Sequence, residues 1–315
     1  MRRRSVVCLA QTSCRVIAVS PTAPAASRGL ALIRLCRPHH WVKNAFVLLP
    51  LVFTDAAITP AHVLRVVVVL AAFCCAASAI YCANDVMDRD ADRAHPRKQH
   101  RPVASGQISA PMALAFAVIL GVAAMWLALW ASTWAAVLLA AYLANNLAYN
   151  LVLRHKTIAD VMSIAVGFLL RILAGAAAIP VRPTSWLLLC GFFLALLLGF
   201  TKRRVEIAHA ADQRYRGVLS NYSAQKLDVA ISVTAAVTLV TYALYTVDAS
   251  TVALHRTEYL PATLPLVSYG IFRIIFKAQE GSGDGPVDFV FRDPVVLMIG
   301  AAWVVMSFLI LSYSQ

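Results

Sequence analysis

The feature that most restricts the fold of this chain is a series of apolar runs, each long enough to cross a lipid bilayer. They give the whole chain a mean hydropathy of +0.72. A helix needs about 20 predominantly apolar residues to span the hydrocarbon core of a membrane. Backbone groups in lipid must form hydrogen bonds within their own segment, so helices are the expected spanning form. The pattern predicts an all-α polytopic membrane protein.

The apolar runs predict nine transmembrane helices. Their ranges are 44–60, 64–83, 110–130, 134–153, 160–180, 185–201, 228–248, 259–277 and 293–312. The first range is the least regular, because Pro50 and Asp55 interrupt it. Residues 84–109 and 201–227 are the longest connections, and we expect soluble substrates to meet the protein there.

Lysines and arginines predict how the chain is oriented. Of 28 such residues, 23 lie in one set of alternating segments, 3 lie in the other set and 2 lie within predicted spans. Cytoplasmic loops carry the excess of Lys and Arg in membrane proteins. We therefore predict a cytoplasmic N-terminus, a bacterial inner (plasma) membrane location and a functional surface on the cytoplasmic side.

The chain divides into a tail and a membrane domain. Residues 1–35 are predicted to form a disordered cytoplasmic tail, and residues 36–315 to form the transmembrane domain, which carries any catalytic function. The tail begins with basic residues like a signal peptide, but polar residues interrupt its apolar stretch too early. A monomer and a homo-oligomer are both compatible with the sequence.

Charge and cysteine content exclude two other classes of function. The net charge of +13 does not indicate nucleic-acid binding, because the basic residues lie between apolar runs and form no basic soluble domain. The 7 cysteines are odd in number and show no CxxC spacing, which argues against a disulfide framework or a zinc site.

An acidic cluster lies at the end of the second predicted span. If the helix continues, Asp85, Asp88 and Asp92 fall within about 60° of one another on one face. Such carboxylates repel each other, and Mg²⁺ would neutralise them while completing its shell with phosphate oxygens. A solvated helix end paired with neighbouring arginines is the alternative. Charges at a membrane boundary are costly and usually functional, which favours the metal site.

Basic residues surround this cluster in the sequence and recur at other predicted cytoplasmic helix ends. They are Lys43, Lys98, Arg101, Arg154, Lys156, Lys202 and Arg203. Arginine binds phosphate oxygens in a fork and lysine supplies a point charge, so such a set suits a diphosphate substrate. Each residue taken alone is explained as well by a topology signal or a membrane anchor. Their convergence on one face favours phosphate binding.

Arg171 differs because it lies inside a predicted span. It is 11 residues beyond Asp160, about 16 Å along the helix. An arginine at that depth needs a partner or a water-filled cavity, so it is a candidate functional residue. A salt bridge to a neighbouring helix is the structural alternative. Gly167 and Gly175 suit close helix packing and require no ligand.

The order Asn84-Asp-x-x-Asp88-x-x-x-Asp92, followed by Arg101-Pro-x-Ala-Ser-Gly106, resembles the signature of the UbiA superfamily of intramembrane prenyltransferases. The resemblance implies nine helices around a central cavity, with Mg²⁺ holding a diphosphate under cytoplasmic loops. It implies that Asn84 and Asp88 bind the metal together with Asp85 or Asp92, and that these aspartates are catalytic.

Further blocks resemble one branch of that superfamily, the decaprenyl-phosphate phosphoribosyltransferases. The blocks are 37–44, 84–98, 149–155, 185–186, 202–206 and 285–293. The resemblance implies phosphoribosyl pyrophosphate as the donor and a polyprenyl phosphate as the acceptor in cell-envelope biosynthesis. It implies that the phosphates or ribose are bound by Lys43, Tyr81, Lys98, Arg154, Arg171, Lys202 and Arg203.

Two other functions remain open from the sequence. An aromatic prenyltransferase of quinone biosynthesis shares the fold but uses a prenyl diphosphate. Such enzymes usually carry a second aspartate-rich motif after the fourth span, where this chain has only Asp160. A membrane transporter should carry functional charges on both sides and inverted repeats. This chain concentrates its charges on one side, so the transporter is the weaker alternative.

Overall fold

The computed structural model is helical wherever it forms regular structure among the residues that it describes. The described residues are 25–53, 58–96, 98–179, 181, 183–210, 222–280 and 293–313. The prediction of an all-α protein is confirmed.

Twelve α-helices form the described part of the chain. They are α1 (Ala25–Cys36), α2 (Leu49–Val52), α3 (Pro60–Met87), α4 (Arg89–Arg93), α5 (Ala110–Ala131), α6 (Thr133–Leu151), α7 (Ala159–Ala178), α8 (Ser185–Ala210), α9 (Ala224–Val247), α10 (Ala249–His255), α11 (Leu264–Glu280) and α12 (Pro294–Tyr313). A 3₁₀ helix, Pro38–Leu48, joins α1 to α2. Shorter 3₁₀ turns are Lys98–His100, Leu153–His155 and Leu260–Thr263.

Seven helical segments of the described chain are long and apolar enough to cross a membrane. They are α3, α5, α7, α8, α9, α11 with the preceding 3₁₀ turn, and α12. Helix α6 joins two of them but carries several polar side chains, including Asn145 and Asn150. The chain is therefore a multi-pass membrane protein, whereas the count of nine spans stays a prediction.

The prediction that residues 44–60 form one spanning helix is wrong. Residues up to Leu48 belong to the 3₁₀ helix, and α2 ends at Val52. Pro50 is tolerated only because it lies in the first turn of α2. The 3₁₀ helix also lies very close to α7, since a Cβ on Gly175 would be 2.0 Å from the carbonyl oxygen of Val47. Residues 54–57 lie outside the described part.

The structure also differs from the predicted disordered tail. Residues 25–36 form α1, which packs against α3 through Ala31 and Leu35, both fully or almost fully buried. Residues 1–24 lie outside the described part of the chain.

Helix α7 is the most enclosed of the candidate spans. In its most apolar window 61% of the residues are buried inside the protein, compared with 6% for α12. Small residues such as Ala174 and Gly175 allow this close packing. In lipid, helices associate through such van der Waals contacts, because no hydrophobic force drives them together. Polar side chains of α7 therefore face other helices and not lipid.

Candidate active site

The buried carboxylates of the acidic cluster are neutralised by arginines. Arg37 Nη2 lies 2.5 Å from Asp85 Oδ1. Arg101 Nη1 bridges both buried acids, at 3.4 Å from Asp85 and 2.6 Å from Asp92. Lys98 Nζ lies 4.0 Å from Asp92. Charge repulsion within this pair of aspartates is therefore relieved without a metal ion.

The prediction of one continuous helix through the acidic cluster is wrong. Helix α3 ends at Met87, and Asp88 is the junction to α4, with φ −92° and ψ 7°. Asp85 and Asp92 are buried, whereas Asp88 is not. Asp88 instead faces Arg154, whose Nη1 lies 3.6 Å from Asp88 Oδ1, and its side chain is 40% exposed.

Asn84 pairs with an amide on a neighbouring helix. Asn150 Nδ2 of α6 donates a hydrogen bond to Asn84 Oδ1 at 2.8 Å. In the described part of the chain, no three His, Cys, Asp or Glu side chains form a group that could hold a metal ion. The oxygens of Asn84 and Asp88 nevertheless fit Mg²⁺, which commonly takes one or two carboxylates and substrate phosphates as ligands.

A cavity of about 220 Å³ opens between the 3₁₀ helix and helices α3, α6, α7 and α8. Its polar lining consists of Lys43, Tyr81, Tyr142, Asn145, Asn146, Tyr149, Ser163, Arg171 and Lys202. We call it the cationic cavity, because three of these described lining residues are cations and none is acidic. Asn84 follows the lining residue Tyr81 by three positions in α3, and Asn150 directly follows the lining residue Tyr149 in α6.

Arg171 is buried in the wall of the cationic cavity, and its hydrogen-bond partners are neutral. Its Nε donates to Asn44 Oδ1 at 2.8 Å, its Nη1 to the Gly167 carbonyl at 2.8 Å and its Nη2 to the Tyr142 hydroxyl at 2.9 Å. The guanidinium also lies 4.6 Å from the ring centre of Tyr142. These contacts fix its orientation and leave its charge to act on the cavity.

The other two cations of the cavity come from two different elements. Lys43 belongs to the 3₁₀ helix and Lys202 to α8. Burial and the nearby charge of Lys43 lower the pKa of His40 to about 3. His40 is therefore neutral at pH 7, and the positive charge here comes from lysine and arginine.

Arg203 was predicted to bind substrate, but it is enclosed by carboxylates. It donates to Asp160 Oδ2 at 2.6 Å and to Glu206 Oε2 at 2.5 Å, and its side chain is 5% exposed. Its Nη2 also donates to the hydroxyl of the cavity residue Tyr149, at 3.1 Å. The structure thus places Arg203 behind the cavity wall, in contact with a lining side chain.

The predicted residues therefore fall into three places. Lys43, Tyr81, Arg171 and Lys202 line the cationic cavity together. Lys98 and Arg101 belong to the ion-pair cluster of the buried aspartates. Arg154 and Lys156 lie on the loop after α6, where Arg154 faces Asp88 and Lys156 is exposed.

Sequence reasoning missed the polar face of α6. Tyr142, Asn145, Asn146 and Tyr149 all line the cationic cavity. Their spacing of three and four residues is that of one helix face. Polar residues recurring at this spacing within an apolar run were the signal that could have identified them.

A second cavity, of about 290 Å³, is lined mainly by aromatic and aliphatic side chains. Its lining includes Phe46, Phe53, Trp186, Leu194, Tyr242, Tyr245, Ile271 and Trp303. We call it the apolar cavity. Phe46, which lines it, packs edge-on against Phe168 of the cationic cavity, with ring centres 4.7 Å apart. One aromatic pair thus lies between a cation-rich space and an apolar one.

Comparison with known proteins confirms the resemblance that the motifs indicated. The sequence profile of the UbiA prenyltransferase family matches residues 47–292. The decaprenyl-phosphate phosphoribosyltransferase of Mycolicibacterium smegmatis is 30% identical over 290 residues, covering 87% of this chain and 90% of that protein. The protein of the same name from Corynebacterium glutamicum is 30% identical over 279 residues, covering 87% of this chain and 84% of that protein.

A solved structure has the same fold. The UbiA homolog from Archaeoglobus fulgidus bound to GPP and Mg²⁺ superposes with a TM-score of 0.67, covering 90% of this chain and 99% of that chain. Its sequence identity to this chain is 18%, so the likeness shows the arrangement of helices alone.

Proposed function

Because the chain belongs to the UbiA prenyltransferase family, we propose that it transfers the phosphoribosyl group of phosphoribosyl pyrophosphate to a polyprenyl phosphate and releases pyrophosphate. Two relatives named decaprenyl-phosphate phosphoribosyltransferase match over most of their length, which supports this donor and acceptor. An aromatic prenyltransferase is the second candidate, since the family as a whole also fits it.

The observation that carries the proposal is the charge of the cationic cavity. Lys43, Arg171 and Lys202 enter it from three different elements, and no acidic side chain is among its described lining residues. Such a site attracts substrates with several phosphate groups. Phosphoribosyl pyrophosphate and a lipid phosphate both meet this requirement.

The apolar cavity supports a lipid as the acceptor. It lies next to the cationic cavity across the Phe46–Phe168 pair, and its aromatic and aliphatic lining suits an isoprenoid chain. A ligand with an anionic head and a long apolar chain would match both cavities, with its head in the cationic cavity and its chain in the apolar cavity. Decaprenyl-type chain lengths stay an inference from the named relatives.

We assign Mg²⁺ to Asn84 and Asp88, which follow the cavity residue Tyr81 at the end of α3. Their oxygens have the hard character that this ion prefers, and the A. fulgidus homolog was solved with Mg²⁺. When bound, the ion would neutralise charge on the pyrophosphate group. Asp85 and Asp92 pair with Arg37 and Arg101, and these ion pairs would hold the surrounding backbone in place.

The reaction is a single displacement at C1 of the ribose. The bond from C1 to the pyrophosphate oxygen breaks, and its electron pair leaves with pyrophosphate. A lipid phosphate oxygen forms the new bond to C1, which inverts the configuration there. Lys43, Arg171 and Lys202 stabilise the negative charge that develops on the leaving group. The lipid phosphate is already anionic, so the reaction needs no general base.

The proposal includes the orientation of the protein. Nine spans, a cytoplasmic N-terminus and a bacterial inner-membrane location would place Asp88, Arg154 and Lys202 at the cytoplasmic end of the helices. The excess of Lys and Arg in the corresponding loops supports this orientation. Whether the protein acts as a homo-oligomer does not affect the chemistry.

A transfer assay with labelled donors tests the proposal. Purified protein in liposomes receives labelled phosphoribosyl pyrophosphate or labelled prenyl diphosphate, each with polyprenyl phosphate or with 4-hydroxybenzoate. We expect a labelled phosphoribosyl lipid to form only from labelled phosphoribosyl pyrophosphate together with polyprenyl phosphate. A labelled prenylated aromatic would support the second candidate. Movement of lipid between leaflets without any transfer would indicate a transporter.

A further inference from the structure

The loop between α6 and α7 contains a strained residue. Ile158 has φ 69° and ψ −47°, and the Ala159 N–H donates to the Thr157 carbonyl at 2.8 Å. This geometry is a γ-turn of the rare, strained kind with positive φ at its centre. A β-branched residue at positive φ is an outlier that persists only where its surroundings hold it. Some contact must therefore hold Ile158 in place.

The side-chain contact at this turn is the hydroxyl of Tyr222. It accepts a hydrogen bond from the Ile158 N–H at 2.7 Å and donates one to Asp160 Oδ1 at 2.8 Å. Asp160 is 0% exposed and Tyr222 is 9% exposed. Burial raises the pKa of Tyr222 to about 12, so its hydroxyl keeps the proton that it donates to Asp160. One side chain thus ties the turn to the first turn of α7.

The strained turn lies directly after the segment that carries Arg154. Residues 153–155 form a single 3₁₀ turn, and the Lys156 N–H donates to the Leu153 carbonyl at its end. Arg154 of this turn faces Asp88, with 3.6 Å between Nη1 and Oδ1. The position of Ile158 therefore sets the path of the loop that brings Arg154 to the proposed metal ligand.

We propose that Tyr222 is a positioning residue for donor binding, which holds the strained Ile158 turn and thereby keeps Arg154 beside Asp88. The inference rests on the proposed function, in which Arg154 and Asp88 meet the diphosphate of the donor. Tyr222 itself contacts no reacting atom. Its ring belongs to the same buried hydrophobic cluster as Val161, Phe168 and Leu227, so phenylalanine at this position keeps the apolar ring and removes only the hydroxyl.

Hydrogen–deuterium exchange tests the structural part without reference to activity. In Tyr222→Phe, we expect amide exchange of the peptide covering residues 152–160 to become about tenfold faster, while a peptide from α3 is unchanged. Tyr259→Phe is the control, because that side chain is 75% exposed and distant in sequence from the loop. Unchanged exchange of the loop in Tyr222→Phe overturns the proposal.

Steady-state kinetics test the functional part. In Tyr222→Phe, the KM for phosphoribosyl pyrophosphate should rise about three- to tenfold, because the hydrogen bond that holds the Ile158 N–H is lost, with kcat and the KM for the lipid unchanged. Ile158→Gly removes the conformational penalty at positive φ, so the double variant Tyr222→Phe/Ile158→Gly should recover most of the donor KM. A general loss of fold would not produce this split or this rescue.

The outcomes separate the two proposals. If Tyr222→Phe is impaired and glycine at position 158 gives no recovery, the hydroxyl acts through Asp160 and Arg203, and the proposal is overturned. If the wild-type protein shows no phosphoribosyl transfer, the proposed function fails, whereas the exchange experiment still decides whether Tyr222 holds the turn. If Tyr222→Phe does not fold alone, the double variant provides the measurement, and failure of both to fold contradicts a role limited to the loop.

Discussion

Arg171 combines a full charge, burial in a candidate span and three neutral hydrogen-bond partners. Lysine would keep the charge but could not donate in three fixed directions to Asn44, Gly167 and Tyr142. We expect Arg171→Lys to lower kcat/KM about 10- to 100-fold and Arg171→Met to lower it further, as measured by labelled phosphoribosyl transfer. Arg65→Lys, an exposed position at the start of α3, is the matched control. If Arg171→Met retains the wild-type kcat/KM, Arg171 does not take part in the reaction.

Asp88 and Asp90 provide a matched pair of acidic residues. Asp88 faces Arg154, whereas the side chain of Asp90 is 91% exposed. We expect Asp88→Asn to raise the Mg²⁺ concentration needed for half-maximal turnover at least tenfold, because a carboxylate ligand becomes a neutral amide. Asp90→Asn should match the wild type in a Mg²⁺ titration of activity. An equal effect of both substitutions would contradict the assignment of Asp88 as a ligand.

Individual site residues could be predicted from the sequence where a charged residue occupies an unusual position. An arginine inside an apolar run identified Arg171, and the basic helix ends identified Lys43 and Lys202. The partners of the acidic residues could not be predicted in the same way. Arg37 pairs with Asp85 across 48 residues of sequence, and only tertiary packing brings them together. The sequence favoured a metal ion over neighbouring arginines as the neutralising charge, whereas Arg37 and Arg101 pair with the two buried aspartates.

At the scale of elements, the contact between the 3₁₀ helix and α7 places Lys43 and Asn44 beside Arg171. A Cβ on Gly175 would lie 2.0 Å from the Val47 carbonyl oxygen, so the two elements must separate to admit it. We expect Gly175→Ala to destabilise the protein by about 1–3 kcal/mol and to reduce activity, measured by thermal unfolding in detergent and by phosphoribosyl transfer.

Gly121→Ala is the control for that substitution, because nothing lies within 4 Å of a Cβ there. Alanine is the better helix former by about 1 kcal/mol, so this variant should be as stable as the wild type or slightly more stable. Equal stability of the two alanine variants would show that the close approach of Val47 does not matter.

Asp293 connects α11 to the N-terminus of α12. It pairs with Arg273 and Lys277, with Nζ of Lys277 at 2.9 Å, and accepts from the Val295 N–H at 2.8 Å. Burial opposes ionisation, but these hydrogen bonds hold the pKa of Asp293 well below its usual range. A depressed pKa contributes stability above the unfolded value of about 3.9, and this contribution is lost as the pH falls below that value.

We therefore expect Asp293→Asn to lower the melting temperature at pH 7, with a difference from the wild type that shrinks as the pH falls below about 4. Thermal unfolding across this pH range measures the effect. Glu280→Gln, at an exposed position near the end of α11, should follow the wild type throughout. A loss in Asp293→Asn that is the same at every pH would show that the charge of Asp293 is not responsible. The neighbouring motif residues Gly285 and Arg292 lie outside the described part.

The sequence predicts helix positions well where a long apolar run alone determines the helix. The long apolar runs gave α3, α5, α7, α9 and α12 close to their observed positions. The sequence could not show that the first run becomes a 3₁₀ helix packed closely against Gly175, because this contact joins residues far apart in the chain. The break at Asp88 was equally hidden, since residues 84–92 contain neither proline nor glycine.

At the scale of the whole molecule, a cavity lined by cations lies next to an apolar cavity. The Asn84–Asn150 pair follows the cavity residues Tyr81 and Tyr149 in the chain, and the cationic and apolar cavities meet at Phe46 and Phe168. This arrangement suits an enzyme that joins a water-soluble phosphorylated sugar to a membrane lipid. The positive-inside pattern had predicted the side, but only the fold shows that the two cavities are adjacent.

Equilibrium binding of labelled phosphoribosyl pyrophosphate to the purified protein, titrated with and without Mg²⁺, tests the central claim most directly. We predict saturable binding that requires Mg²⁺, is displaced by pyrophosphate and is weakened at least tenfold in Arg171→Met. Binding of equal affinity without Mg²⁺ and in the Arg171→Met variant would contradict the account.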